Sequence, residues 1–247
     1  MRSTLKPGAR KDRKEPRPSI LEDDQPVNIT ARALDYDGVA DRAVYSGDAR
    51  LWQGDTVIQA ETIVLDDATG NLEARRNMRG TFLIREEPVP GEKAKEGQVT
   101  TARAGEMVYD EARRRATFRQ SARLQGPDGN ITAERIEVFL REDGNTLERA
   151  EAYEKVKATF GPEREATGER LTYNAKARRY LMTGKPLVVR RQFKDKGAGG
   201  TVRCERTEGT TLTLDRSTTS DRSADRVSVV AANGTQSRTV PVPCTAK

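Results

Sequence analysis

From Val27 onward, apolar and polar residues alternate in short runs, and the runs end at turn signals such as Asp37-Gly38, Gly70-Asn71, Asp128-Gly129 and Asp143-Gly144. A period of two puts successive side chains on opposite faces of a strand, so the pattern predicts half-buried strands joined by hairpins. Ala49-Arg50-Leu51-Trp52 and Ile131-Thr132-Ala133-Glu134 show the alternation, and Ile136 to Leu140 continues it. No helical stripe of useful length appears. Ala104–Ala116 and Arg149–Lys157 are rich in helix formers, but composition without a 3.6-residue period does not make a helix. Residues 1–26 are basic, rich in proline and poor in apolar side chains, which predicts a disordered leader or linker. Its Arg10, Lys11, Arg13, Lys14 and Arg17 are either simply solvated or available to anionic lipid or nucleic acid.

An internal repeat fixes the architecture. Tyr109 lies 73 residues after Tyr36, and at that offset the two stretches align without a gap. Asp37 falls on Asp110, Arg42 on Arg115, Ala49-Arg50-Leu51 on Ala122-Arg123-Leu124, Ile58 on Ile131 and Ile63 on Ile136. A third, looser copy starts at Tyr173, where Leu171, Tyr173 and Asn174 mirror Leu34, Tyr36 and Asp37. The copies run near 27–98, 99–163 and 164–232, with Lys194–Gly200 as a loop insertion and a polar tail after 233. One hairpin unit cannot cover its own apolar face, so stacked copies are expected to form one repeat domain over 27–247.

Composition narrows the function. The chain has no histidine, which removes the usual general base and the commonest metal ligand, and two cysteines cannot make a structural zinc site. The chain therefore reads as non-enzymatic, with no cofactor. Carboxylate pairs such as Asp66-Asp67 and Glu86-Glu87 point to opposite faces of a strand and do not converge. A net charge of +6 points to anionic partners, or only to ordinary solubility. No apolar run approaches the length of a signal segment or a membrane span, so neither an export signal nor an anchor is expected within these residues.

The motif from Val44 through Gly47 and Leu51 to Gly54, followed by Ile58, Ala60, Ile63, Leu65 and Asp66 and then by Gly70, Leu72 and Ala74, resembles the OstA-like lipopolysaccharide-transport family of LptA/LptC-like periplasmic domains. The resemblance implies an all-β fold, an elongated open β-jellyroll or β-taco, with lipid A acyl chains in an apolar groove. It also implies a periplasmic location, lipopolysaccharide as ligand, and edge-to-edge strand addition to other OstA-like domains. Those partners are the inner-membrane anchor and the outer-membrane receptor of the export system, with a head-to-tail homo-oligomer as a further form. Whether the chain is bridge, anchor or receptor fragment stays open.

If the strands alternate as written, one face collects Ala43, Tyr45, Leu51, Ile58, Ala60, Ile63 and Leu65 from the first copy. Phe118, Leu124, Ile131, Ala133, Ile136 and Val138 follow from the second, and Met182 and Val188 from the third. Two readings stand: a plain core, or a lipid groove in which small alanines beside large aliphatics leave room for a chain. Arg113, Arg114 and Arg115 are candidates for phosphate contact, or solvated residues that discourage strand-edge aggregation. Cys204, read as the equivalent of Ala60 and Ala133, and Cys244 lie 40 residues apart and form either a disulfide or two free thiols. Rival functions are a structural β-repeat without ligand and a basic nucleic-acid-binding β protein. The second is weakened because aromatics are 5% of the chain and fall largely on the predicted inner face.

Overall fold

The computed structural model describes residues 1–5, 18–22, 25–86, 97–127, 129–194, 202–217, 225–231 and 237–244. The strands are β1 (Arg2–Leu5), β2 (Val27–Thr30), β3 (Ala33–Asp37), β4 (Arg42–Gln53), β5 (Thr56–Asp66), β6 (Asn71–Ile84), β7 (Gln98–Asp110), β8 (Arg115–Gly126), β9 (Gly129–Leu140), β10 (Leu147–Phe160), β11 (Arg164–Asn174), β12 (Arg179–Lys194), β13 (Val202–Asp215), β14 (Arg226–Val230) and β15 (Arg238–Val242). They form one open antiparallel sheet in the order β1-β2-β4-β5-β6-β7-β8-β9-β10-β11-β12-β13-β14, with β3 added on β4 and β15 on β13. No helix occurs among the described residues, and the helix-rich stretches Ala104–Ala116 and Arg149–Lys157 lie in strands and a hairpin turn.

The repeated Tyr-Asp or Tyr-Asn pair has a local cause. Asp37, Asp110 and Asn174 each end a strand and accept a hydrogen bond from the backbone N–H three residues on, at Ala40, Arg113 and Ala177. The next residue, Asp41, Arg114 or Arg178, is left-handed, and its carbonyl accepts from Asp67, Leu140 or Arg216. Each copy thus closes its first hairpin with the same side-chain turn, as short polar residues do at such positions.

Halfway along, the long strands bend together. The ladder registers break between Ser46 and Ala49, Gln59 and Thr62, Arg75 and Met78, Arg103 and Glu106, Thr167 and Arg170, and Thr183 and Leu187. Strands β4, β6, β8 and β10 each carry two consecutive left-handed residues there: Gly47-Asp48, Arg76-Asn77, Gln120-Ser121 and Glu154-Lys155. Across each break β4, β6 and β8 carry one residue more than the partner strand, a bulge of the kind that strengthens twist and redirects a strand. The inner face is therefore skipped over three outward positions in one strand and two in the next. It runs from Tyr45 to Ala49, from Ala60 to Ile63, from Ala74 to Met78 and from Ala104 to Met107. Each of these long strands becomes two arms joined at a corner, with the buried apolar side chains on the inner side of both arms.

The chain divides into two compact units, residues 1–127 with 135–150, and residues 128–134 with 151–247. In the first unit Leu51, Ile58, Ile63, Leu72, Met107 and Ile136 are fully buried, and Phe82 meets Phe118 edge-on at 6.2 Å between ring centres. In the second, Leu171, Met182, Leu187 and Leu212 are fully buried, and Tyr173 stacks on Tyr180 at 4.3 Å. Burying one such aliphatic side chain contributes about 1.5–3 kcal/mol.

Two expectations are corrected at described positions. Arg2–Leu5 is not a disordered leader: it pairs with Val27–Thr30, whose other edge is already taken by β4. Pro18–Glu22 is docked, with Leu21 buried. Arg10, Lys11, Arg13, Lys14 and Arg17 lie outside the described residues, as do most of the expected loop insertion at Lys194–Gly200 and most of the tail after 233. The second correction concerns Cys204. Register places Gly209, opposite Leu187, where Ala60 stands opposite Ala49. Cys204 sits further out, opposite Gln192, on an arm that β12 and β13 lengthen beyond the other copies.

The turn carboxylates carry a pH prediction. Backbone N–H groups of Ala40 and Val39 lower the pKa of Asp37. At Asp110 burial pushes upward, but the hydrogen bonds and charge of Arg113 outweigh it. The Arg179 guanidinium lowers Asp215. A carboxylate with a lowered folded pKa stabilises above its ordinary value of 3.8, and that stability is lost as the pH falls through the folded value. The melting temperature is expected to hold steady above about pH 5 and to fall below about pH 4. Asp110→Asn should flatten part of that fall, and a wild-type melting temperature unchanged down to pH 2.5 would remove these groups from the account.

Candidate lipid-binding interior

The inner face is laid down by rows of register-matched residues. One row near the hairpin ends is Ala43, Leu65, Leu72, Tyr109 and Ala116, and one on the opposite arms is Leu51, Ile58, Gly80, Ala102 and Leu124. Gly80 admits the Phe82 ring, which lies 2.5 Å from where a Cβ would stand.

The residues expected on this face divide between the units. Ala43, Tyr45, Leu51, Ile58, Ala60, Ile63, Leu65, Phe118, Ile136 and Val138 are buried together in the first unit, where Leu124 is half-buried near the strand end. In the second unit Ala133 and Met182 are buried and Ile131 is half-buried. Val188 is a correction. It pairs with Thr167 and Glu208 between the buried Leu187 and Val189, on the opposite face. Met182 and Leu187 are five positions apart, an odd step, so a period of two counted from Met182 arrives one residue late.

Sequence reading missed the inner residues of β6 and β7: Leu72, Ala74, Met78, Ala102, Met107 and Tyr109. The signal was present in the alternation of Leu72 with Ala74 and of Met107 with Tyr109, but the corner breaks the phase between each pair and the residues on the other arm.

In the first unit this interior is closed. Leu51, Ile58 and Ile63 are each 0% exposed. Part of the closure comes from Pro18–Glu22 and Gln25, which reach both arms. On one side the Ser19 N–H donates to Glu111 at 2.6 Å, the Ser19 and Tyr109 hydroxyls are 2.7 Å apart, and Gly144 lies so near the Ser19 carbonyl that no Cβ fits between them. On the other, the buried Gln53 amide donates to the carbonyls of Glu22 and Gln25 at 2.6 and 2.9 Å and accepts from the Glu22 N–H. Leu21 is buried within this strap. Burial pushes the Tyr109 hydroxyl up to about 12, so it stays protonated at any physiological pH.

The three arginines considered for phosphate each meet a carboxylate. Arg113 pairs with Asp110 at 2.6 Å, Arg114 lies 3.9 Å from Glu142, and Arg115 reaches Asp110 at 4.0 Å and Glu137 at 3.8 Å. Cys204 and Cys244 are joined by a disulfide, with Cα atoms 5.2 Å apart.

Against known families, the model of the LptA/(LptD N-terminal domain) LPS transport protein matches twice, over residues 28–144 and 101–210. The chain belongs to that family. Its place is therefore in lipopolysaccharide transport, and the repeat of the match follows the repeat of the strands. Among solved structures, LptH, described as the LptA-homologous periplasmic component of the lipopolysaccharide transport device of Pseudomonas aeruginosa, is 19% identical. That match covers 56% of this chain and 96% of LptH, with a TM-score of 0.43. No curated protein matches.

Proposed function

We propose that this chain is a periplasmic bridge component that carries lipid A acyl chains of lipopolysaccharide in the apolar interior enclosed by its bent strands. Membership of the transport family supports the ligand. The observation that carries the reading is the row-by-row apolar inner face, in which alanines at 43, 60, 74, 102 and 122 alternate with large aliphatic and aromatic side chains. Contacts between methylenes and such a face are non-directional, at about 0.8 kcal/mol per buried CH₂, so a chain can advance by exchanging one contact for the next. The work is binding, not catalysis. The Cys204–Cys244 disulfide supports an oxidising compartment such as the periplasm. Partners of the same family add to the outer strands of the sheet order, β1 and β14, by backbone pairing.

The zero exposure of Leu51, Ile58 and Ile63 favours a second reading, a structural β-repeat whose interior is plain core. A photoreactive phenylalanine analogue at Phe118 separates the two. On irradiation with lipopolysaccharide it is expected to form an adduct, whereas the same analogue at the fully exposed Val39 should form none. Absence of the Phe118 adduct, with the protein folded, leaves the plain-core reading in place.

A further inference from the structure

The outer face of the first unit carries a cationic row that the interior does not explain. Register sets Arg2 on β1, Thr30 on β2, Arg50 on β4, Gln59 on β5, Arg79 on β6, Arg103 on β7 and Arg123 on β8 side by side. At about 4.8 Å per strand the row is roughly 29 Å long. All five arginines are exposed. The next row toward the strand ends, from Thr4 and Asn28 through Trp52 to Gln125, holds no charge of either sign.

Like charges directly opposite on neighbouring strands destabilise a sheet. Elsewhere on this unit the conflict is relieved: Arg75 pairs with Glu73, Arg113 with Asp110 and Arg119 with Glu106. Arg79, Arg103 and Arg123 pair with no carboxylate among the described residues, although they are consecutive in the row. Arg2 and Arg50 lie over the ring of Trp52, at 5.9 and 5.6 Å. A depression of about 540 Å³ opens among Arg50, Gln59, Arg79, Arg103 and Arg123. A surface shaped for solubility alone intersperses the two signs, and this row does not.

We propose that the row is a second binding site, on the outside of the sheet, for a linear polyanion carrying phosphate groups in series. Guanidinium forks match phosphate oxygens in bidentate fashion, and their regular spacing suits a repeating anion. The row is one residue wide and turns with the sheet, since adjacent strands rotate by roughly 20–25°. A flexible chain follows that turn, whereas a planar bilayer touches only part of it. Bases are not read here, because Trp52 is the single aromatic residue in these two rows and stacking on successive bases needs several. The site uses the face opposite the lipid interior and stands whether or not that interior carries lipid.

Trp52 is the only tryptophan in the chain, so its emission reports on the row. Titration of the full chain with long-chain inorganic polyphosphate at low salt is expected to give a saturable change that weakens as salt rises. Arg103→Glu sets a carboxylate between Arg79 and Arg123. It should weaken polyphosphate at least tenfold while leaving the melting temperature equal or higher, because it relieves the repulsion. A row that serves only the fold would behave in the opposite way, with a lower melting temperature and unchanged affinity. Absence of saturable binding, or unchanged affinity in Arg103→Glu, overturns the proposal. Orthophosphate binding as tightly as the polymer overturns the serial arrangement, and polyglutamate binding as tightly overturns the preference for phosphate. Binding to phosphatidylglycerol vesicles that Arg103→Glu abolishes, with none to polyphosphate, assigns the row to a membrane surface instead.

Discussion

Gly184→Val is expected to lower the melting temperature of the second unit by several degrees. Gly184 on β12 faces Gly168 on β11 at the corner, and a Cβ there would stand 2.8 Å from the Gly168 Cα, 3.1 Å from the Glu169 nitrogen and 3.2 Å from the Pro186 carbonyl oxygen. All three are backbone atoms and cannot rotate aside. Relief requires the two strands to separate where both registers already shift. Overpacking of this kind costs about 3 kcal/mol, which for a chain of this size corresponds to roughly 6–12 °C. Gly126→Ala is the control, because its Cβ would meet Thr100 at an ordinary 3.6 Å. Thermal melts followed by circular dichroism read both variants. A shift in Gly184→Val no larger than the control's would show that the corner has slack.

Removing the disulfide has an expected effect of similar size. The bond between Cys204 and Cys244 closes a loop of 40 residues, and restricting the unfolded chain to that extent is worth about 4 kcal/mol in the loop-entropy account. The native side offers little to replace it. β15 pairs with β13 over five residue pairs, from Cys204–Val242 to Glu208–Arg238, and none of its residues is buried. The double variant Cys204→Ser with Cys244→Ser, or the wild type in reductant, should melt earlier and lose residues near 238–244 first to a protease. Equal melting with and without reductant would mean that pairing with β13 alone holds β15.

The strand architecture was legible because the repeat announced itself. Tyr36-Asp37, Tyr109-Asp110 and Tyr173-Asn174 mark the same hairpin three times, and a short polar side chain after tyrosine is what that turn needs. The inner face was legible wherever apolar residues clustered on both sides of a corner, as Ala60 and Ile63 do. It failed at Val188 because nothing in Gly184-Lys185-Pro186 declares how many residues the bend consumes. The corners carry weak local signals. Arg76, Gln120, Ser121, Glu154 and Lys155 are left-handed although none is a usual left-handed residue, so the enclosing arms hold them there rather than local preference. The strap was hidden by composition: Ser19, Leu21 and Glu22 sit at the edge of a basic, proline-rich stretch, and a single leucine does not reveal a docking surface. The row from Arg2 to Arg123 was equally hidden. Its members are scattered over more than a hundred positions, and only strand pairing aligns them.

The seal over the first unit is light compared with what it covers. Lifting Pro18–Glu22 breaks a handful of hydrogen bonds around Ser19 and Gln53 and exposes Leu21, at a combined cost of roughly 5 kcal/mol, and leaves the strand ladders themselves intact. An acyl tail sinking about ten methylenes between the arms would return roughly 8 kcal/mol. On the proposed function, cargo of that kind would drive its own admission, with the gasket yielding before the hull.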